Sequence, residues 1–346
     1  MRTAKMRPRN KGEIYTEKLV SVVAPAYNEQ ENVREFYKRI VSVFDEIDQN
    51  FELLIVDNGS HDETLDILKE LHELDPRINF ISLSRNFGYQ GGVIAGLKHA
   101  RGDIIVCMDS DLQHPPHVIS DMLKEWQRGA DIVFTLKREA PVGFWRKSLN
   151  TCYYRIISKL SGLELTGGQS DFRLMDRRAL NALLSMPEAQ KFLRGLSRWI
   201  GFSQTAITYD VEERFSGNTK FNVVQLFEFA LDGILSFSIF PLRLLTIAGA
   251  SVAALSLLYV CLVVFLAVFD INDVGLRPVG LIASGETPIG YPSLAAGIFF
   301  LGGIQLVGIG ILGEYIGRVY NEAKQRPAYI VIDSSLTAFE HIQSDS

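Results

Sequence analysis

Cysteine is scarce in this 346-residue chain. Cys107, Cys152 and Cys261 stand far apart with no paired spacing, which excludes a disulfide framework and a cysteine-based zinc site. An apolar leader is also missing. Met1 to Lys18 is basic and polar without an apolar core segment, so the residues up to 220 are expected to stay in the cytoplasm. Arg2, Lys5, Arg7, Arg9 and Lys11 make residues 1–18 a basic arm, either solvated or laid against anionic headgroups. Positive charge is not in excess overall: the formal net charge is −5, which weighs against nucleic acid as a partner. No internal repeat or low-complexity tract is present.

What the chain does have is an uneven spread of apolar residues. Charged and apolar patches alternate up to about residue 220, and most of the hydrophobic excess follows Phe221. From Leu244 to Phe269, and again from Thr287 to Gly313, no residue is charged. About 20 apolar residues suffice to cross a hydrocarbon core of about 30 Å, so both runs can span. Arg243 precedes the first run, and Arg318, Lys324 and Arg326 follow the second; the connector from Asp270 to Glu286 has only Arg277 as a basic residue. The positive-inside rule then puts both termini in the cytoplasm and the connector outside. The expected order is a catalytic domain over 19–220, a juxtamembrane amphipathic helix over 221–241, spans over 242–269 and 287–313 around a 270–286 connector, and a cytoplasmic tail over 314–346. Glycines 302, 303, 308, 310, 313 and 317 in the second span would allow close helix contact, including self-association.

Within the first part, short β-branched runs alternate with helical stripes. Strands are expected over Leu19–Ala24, Phe51–Val56, Ile78–Leu83, the run ending at Met108, and Asp131–Leu136. Helices are expected over Glu31–Glu46, Asp62–Leu74 and Gly91–Ala100. This alternation predicts a doubly wound, mostly parallel sheet. Farther on, Trp145–Leu160 and Phe192–Ile200 read as helices and Thr205–Val211 as a strand.

The chemistry concentrates at strand ends. Asp109-Ser110-Asp111 closes the apolar run Ile104–Met108. Two carboxylates beyond a strand's carboxyl end lie where open α/β sheets bind ligands, and they suit a hard cation. Right-handed crossovers would bring Asp57 and the Pro25–Glu29 turn onto the same rim. Asp103 opens its strand and reads as structural. His114 and His117 invite a zinc reading, but Pro115-Pro116 between them prevents presentation from one helix face.

Pro25-Ala26-Tyr27-Asn28-Glu29, Asp57 to Thr64, Ser84-Arg85-Asn86-Phe87-Gly88 and Asp109 to Pro116 occur in that order. Together they resemble the inverting family-2 glycosyltransferases of the GT-A fold. With the two C-terminal spans, the chain is similar to the polyisoprenyl-phosphate glycosyltransferases, which include bactoprenol glucosyltransferases and dolichyl-phosphate mannose synthases. The resemblance implies a nucleotide-sugar donor held by Pro25, Ala26, Tyr27, Glu29, Asp57, Asn86, Gly88 and Ser110. It implies Mg²⁺ or Mn²⁺ on Asp109 and Asp111 with help from Gln113, and an acidic residue, Asp171, near the reacting sugar. Arg173 could pair with Asp171 or with phosphate. Arg214 to Lys220 resembles the family's Arg-x-x-Gly-x-(Ser/Thr)-Lys loop, and the basic pair would hold diphosphate or lipid phosphate; Arg138 and Arg146 are further basic candidates. The implied reaction moves a hexose, glucose from UDP-glucose being favoured, onto undecaprenyl or another polyprenyl phosphate. A processive synthase would carry Gln-x-x-Arg-Trp, but Gly195 stands where Gln is needed before Arg198-Trp199. A non-catalytic membrane subunit is disfavoured by intact Glu29, Asp57, Asp109 and Asp111.

Overall fold

The computed structural model describes residues 18–138, 169–188, 191, 193–210, 240–268 and 291–336. The arm, the Trp145–Leu160 helix, the 214–220 loop, the amphipathic helix before Phe240, and the connector lie outside the described residues. The chain divides into two compact units, one of Met1–Glu228 with Gln325–Ser346 and the other of Phe229–Lys324.

The first unit is built on an eight-stranded sheet in the order β7-β5-β6-β4-β1-β2-β3-β8. Strands β1 (Val20–Ala26), β2 (Phe51–Asp57), β3 (Ile78–Leu83) and β4 (Ile104–Cys107) pair in parallel, with β1 between β2 and β4. They are nearly continuous runs of buried apolar residues because both faces of the sheet are covered. Helices α1 (Val33–Glu46), α2 (Thr64–Leu74), α3 (Gly88–His99) and α4 (Val118–Gln127) are interleaved with these strands and with β5 (Ile132–Lys137). The α4 stripe of Val118, Ile119, Met122, Leu123 and Trp126 is fully buried.

Period-two alternation sorts the strand side chains between two cores. Leu53 and Ile55 join Val22, Phe36, Phe44 and Leu68 on one face. Leu54 and Val56 join Ile81, Leu83, Ala95 and Leu336 on the other. On that second face α3 lies unusually close to the sheet, for which its glycines are the reason. A Cβ on Gly96 would overlap Val23 Cγ1 and come within 3.0 Å of Val56 Cγ2.

The sheet is mixed rather than wholly parallel. After β5 the chain returns as β6 (Gln169–Asp176), antiparallel to both β4 and β5. Helices α5 (Arg177–Leu184) and α6 (Leu193–Trp199) follow, and then β7 (Gln204–Tyr209), which pairs in parallel with β5. The segment after the second apolar run also contributes. Its β8 (Val331–Ser334) adds antiparallel to β3, Lys69 Nζ meets Asp333 at 2.8 Å, and Leu336 is buried. Within the expected tail, the run Tyr329-Ile330-Val331-Ile332 is the aromatic and β-branched signal that could have found this strand.

The second unit contains α7 (Phe240–Val268) and α8 (Tyr291–Ala323), of 29 and 33 residues. At about 1.5 Å per residue, each exceeds a hydrocarbon core of about 30 Å. Within them, Leu242–Tyr259 and Gly297–Ala323 are apolar enough to span, and none of either window is buried within the protein. Helix α8 runs past Gly313, where the charge-free stretch ends, through Glu314 and Arg318. Apolar side chains such as Phe299 and Leu306 face outward, which suits lipid as the surrounding medium.

Gly96→Ala is expected to destabilise the first unit by about 1–3 kcal/mol through overpacking. Thermal unfolding followed by circular dichroism checks this, and an unchanged midpoint would contradict the close approach of α3.

Candidate active site

Three chain exits meet at one edge of the sheet. Ala26 pairs with Asp57 across β1 and β2, Val23 pairs with Cys107 across β1 and β4, and Met108 N–H still donates to Val23 O at 3.0 Å. Pro25–Glu29, Asp57–Ser60 and Asp109–Gln113 therefore share a rim, with Asn86 and Gly88 beyond β3 beside them.

The first two exits are fastened together by side-chain to backbone bonds. Asn28 N–H donates to Ser60 Oγ at 3.0 Å, and His61 N–H donates to Asn28 Oδ1 at 2.9 Å. Glu29 N–H donates to Thr64 Oγ1 at 3.0 Å. Asn28 adopts φ 56°, a left-handed conformation that Asn tolerates better than most residues. Asp57 is 1 % exposed: it accepts from Ser60 N–H at 3.0 Å and Ser82 Oγ at 2.8 Å. Gly59, at φ 72°, lets this loop press on the next one, since a Cβ there would meet the Arg85 carbonyl carbon at 2.5 Å. Asn58 then bonds Phe87 N–H at 3.0 Å and Gly88 O at 3.0 Å, while Asn86 Oδ1 accepts from Gly88 N–H at 2.7 Å. Tyr27 remains exposed and Glu29 half-buried on this rim.

The third exit carries the paired carboxylates. Ser110 Oγ donates to Pro25 O at 2.9 Å, tying the loop to β1. Gln113 N–H donates to Asp111 Oδ1 at 3.1 Å, and Leu112 between them takes φ 66°. A left-handed residue with a Cβ costs about 1–2 kcal/mol, which the burial of the Leu112 side chain offsets. Asp109 Oδ1 accepts from Tyr89 Oη at 2.8 Å, and Asp109 N–H donates to His114 Nδ1 at 3.0 Å.

Across from this loop, β6 presents Asp171. It is a strand residue with both oxygens held: Arg194 reaches them at 2.9 and 2.7 Å, and Arg173 Nη2 lies 3.1 Å from Oδ1. Arg173 is fully buried and also bonds Leu193 O and Ser197 Oγ, so it is not placed to meet phosphate. Arg138 pairs with Asp210 at 2.8 Å. Arg146, Arg214 and Lys220 lie outside the described residues.

The electrostatics follow from this crowding. Burial, and the nearby Asp171 charge, push the Asp109 carboxyl up to about 6 against the Tyr89 hydrogen bond and the charges of Lys137 and Arg194. For Asp171 burial also opposes charge, but the hydrogen bonds and charge of Arg194, then the charge of Arg173, hold it below the usual carboxylate range. Burial pulls the His114 ring down to about 4. Its contact with Asp109 Oδ2 at 3.5 Å is therefore no ion pair. With Asp109 N–H pointing at Nδ1, the ring proton lies on Nε2 and is donated to Ser170 Oγ at 2.8 Å. Both nitrogens are committed, which leaves neither for zinc.

Oxygen donors on one loop, one of them a carboxyl whose burial disfavours its charged form, form a set that a hard divalent cation would relieve. Among the described residues no group of three or more His, Cys, Asp or Glu gathers to hold a metal. Mg²⁺ needs only one or two carboxylates when waters and substrate phosphates complete its shell, so Asp109, Asp111 and Gln113 fit that chemistry. Nothing in the sequence points to Tyr89, Arg194, Ser170 or Tyr209 as parts of this site.

Residues 21–184 match the family model described as "Glycosyl transferase family 2". A prophage bactoprenol glucosyl transferase homolog of Escherichia coli is 39% identical, covering 90% of this chain and 98% of its own. The bactoprenol glucosyl transferase of Shigella phage SfV is 37% identical, covering 90% and 97%. The glucosyl-3-phosphoglycerate synthase of Mycobacterium tuberculosis, solved with Mn²⁺, UDP and phosphoglyceric acid, is 20% identical with a TM-score of 0.46, covering 63% of this chain and 76% of its own.

A carboxyl raised in the folded state favours folding below its unfolded value of about 3.9 and loses that contribution as pH rises through its folded value. In chelator-treated protein, Asp109 should thus erode stability between about pH 4 and about pH 6. Asp109→Asn is expected to flatten the stability profile in that window, as read by thermal midpoints. A wild-type slope retained in the variant would contradict the assignment.

Proposed function

The chain belongs to glycosyl transferase family 2, and on that footing we propose that it transfers a hexose from a nucleotide sugar to a polyprenyl phosphate with inversion. Glucose from UDP-glucose and undecaprenyl phosphate are the favoured pair. The observation that carries this reading is the Asp109–Gln113 loop on a rim of converging strand ends, in a chain that also has two long lipid-suited helices. The names of the bactoprenol relatives support the acceptor and the sugar.

In this reading a phosphate oxygen of the acceptor attacks the anomeric carbon as the bond to the diphosphate breaks, and UDP leaves. A phosphate monoester with a second pKa of about 6 is already anionic, so no strong general base is needed. Asp171 suits that requirement. Its oxygens are occupied by Arg194 and its carboxyl is held below the usual range, so it orients rather than accepts a proton. A divalent cation on Asp109 and Asp111, with Gln113, would supply Lewis-acid stabilisation of the leaving diphosphate. Tyr27 and Glu29 offer a ring and a carboxylate to base and ribose. Asp57, being buried, acts by holding Ser60 and through it the Asn28 turn. Arg214 and Lys220 hold diphosphate or lipid phosphate. Both termini face the cytoplasm, and the product serves glycosylation on the other side.

The test is purified protein with polyprenyl phosphate, Mg²⁺ or Mn²⁺ and a panel of radiolabelled sugar nucleotides, scored for lipid-linked label. Label from UDP-glucose is expected; label from GDP-mannose or UDP-N-acetylglucosamine instead would change the donor, and none at all would sink the reading. Asp111→Asn is expected to abolish turnover in protein that still folds and inserts, and metal-dependent activity in that variant would remove Asp111 from its role.

A further inference from the structure

His114 sits where packing alone asks for no polar atom. Its ring stacks on Phe172 at 5.2 Å and meets Tyr209 edge-on at 5.9 Å, and the residue is 1 % exposed. A phenyl ring would fill the same box. What a phenyl ring lacks are two directed bonds. One accepts Asp109 N–H at 3.0 Å, just where the ladder to β1 has run out after Met108. The other is donated to Ser170 Oγ at 2.8 Å, on the residue before Asp171. Ser170 Oγ is itself fixed by Tyr209 Oη at 3.2 Å and Phe172 N–H at 3.3 Å.

One imidazole thus joins the loop bearing Asp109 and Asp111 to the strand bearing Asp171. We propose that His114 is a positioning residue, a strut of fixed tautomer that sets the leaving-group carboxylates at a constant distance from the Asp171–Arg194 pair. It touches no reacting atom and acts through the Asp109 backbone and Ser170. The kinetic consequence rests on the transfer reaction proposed above; the tautomer does not.

Two measurements on the full-length protein decide it. In ¹⁵N-imidazole NMR, the resonances lost in His114→Phe identify the ring, and they should report an unprotonated Nδ1 and a protonated Nε2. The opposite tautomer would overturn the strut. In the lipid-linked transfer assay, His114→Phe keeps the aromatic box and should lose about a hundredfold in kcat, the cost of a misplacement of about 1 Å. It should still fold cooperatively, its thermal midpoint lowered only as far as the loss of two buried hydrogen bonds requires. Ser170→Ala removes the second bond alone, should lower kcat about tenfold in folded protein, and should regain activity as Ser170→Thr; it decides the matter if His114→Phe fails to fold. An active wild type matched in kcat by Ser170→Ala or by a folded His114→Phe sinks the strut. A wild type inactive with every donor, yet showing the expected tautomer, sinks the transfer reading and leaves the strut standing.

Discussion

Pairing β1 in parallel with both β2 and β4 forces three chain exits onto one edge of the sheet, with Ala26 beside Asp57 and Val23 beside Cys107. Side chains have period two, so a slip of one residue would turn Leu53 and Ile55 out of one core and Leu54 and Val56 out of the other. Register is therefore enforced by both faces at once. The polar turns beyond the strands inherit that accuracy. They need only short bonds among themselves, such as Ser110 Oγ to Pro25 O, to become a single rim.

That rim gathers negative charge without burying it unopposed. Arg194 and Arg173 neutralise Asp171, whereas the Asp109 carboxylate is bonded by the Tyr89 hydroxyl and opposed only by the more distant charges of Lys137 and Arg194. The two carboxylates are pushed in opposite directions as a result, Asp109 up and Asp171 down. Pairs driven apart in this way mark sites where the groups have different tasks. Here Asp171 has its positive partners in direct contact, and Asp109 has a hydroxyl.

The parallel half of the sheet was legible because its signals are local. Continuous β-branched runs, helical stripes and Asp-rich exits placed β1 to β5 within a residue or two. The α4 stripe was equally periodic but lay hidden behind Pro115-Pro116 and the motif before them. Other parts depend on partners distant in sequence. Arg173 is visible in the sequence as a partner for Asp171, but Arg194 reaches it only once α6 is in place; Pro115-Pro116 already argues against a metal pair at His114, but its bonds to Ser170 and Asp109 N–H appear only in the fold. β8 has a signature of its own in Tyr329-Ile330-Val331-Ile332, but its partner, the open edge of β3, lies far away in the sequence.

That last strand alters what counts as the catalytic half of the molecule. An exposed, regular sheet edge invites pairing between chains, and β8 closes the β3 edge while Leu336 covers Leu54, Val56 and Leu83. The sheet-bearing unit is therefore discontinuous in the chain. Cutting the chain before the first apolar helix would yield a protein with a sticky margin and a bare apolar strip, whereas grafting residues 325–336 back through a linker would restore both.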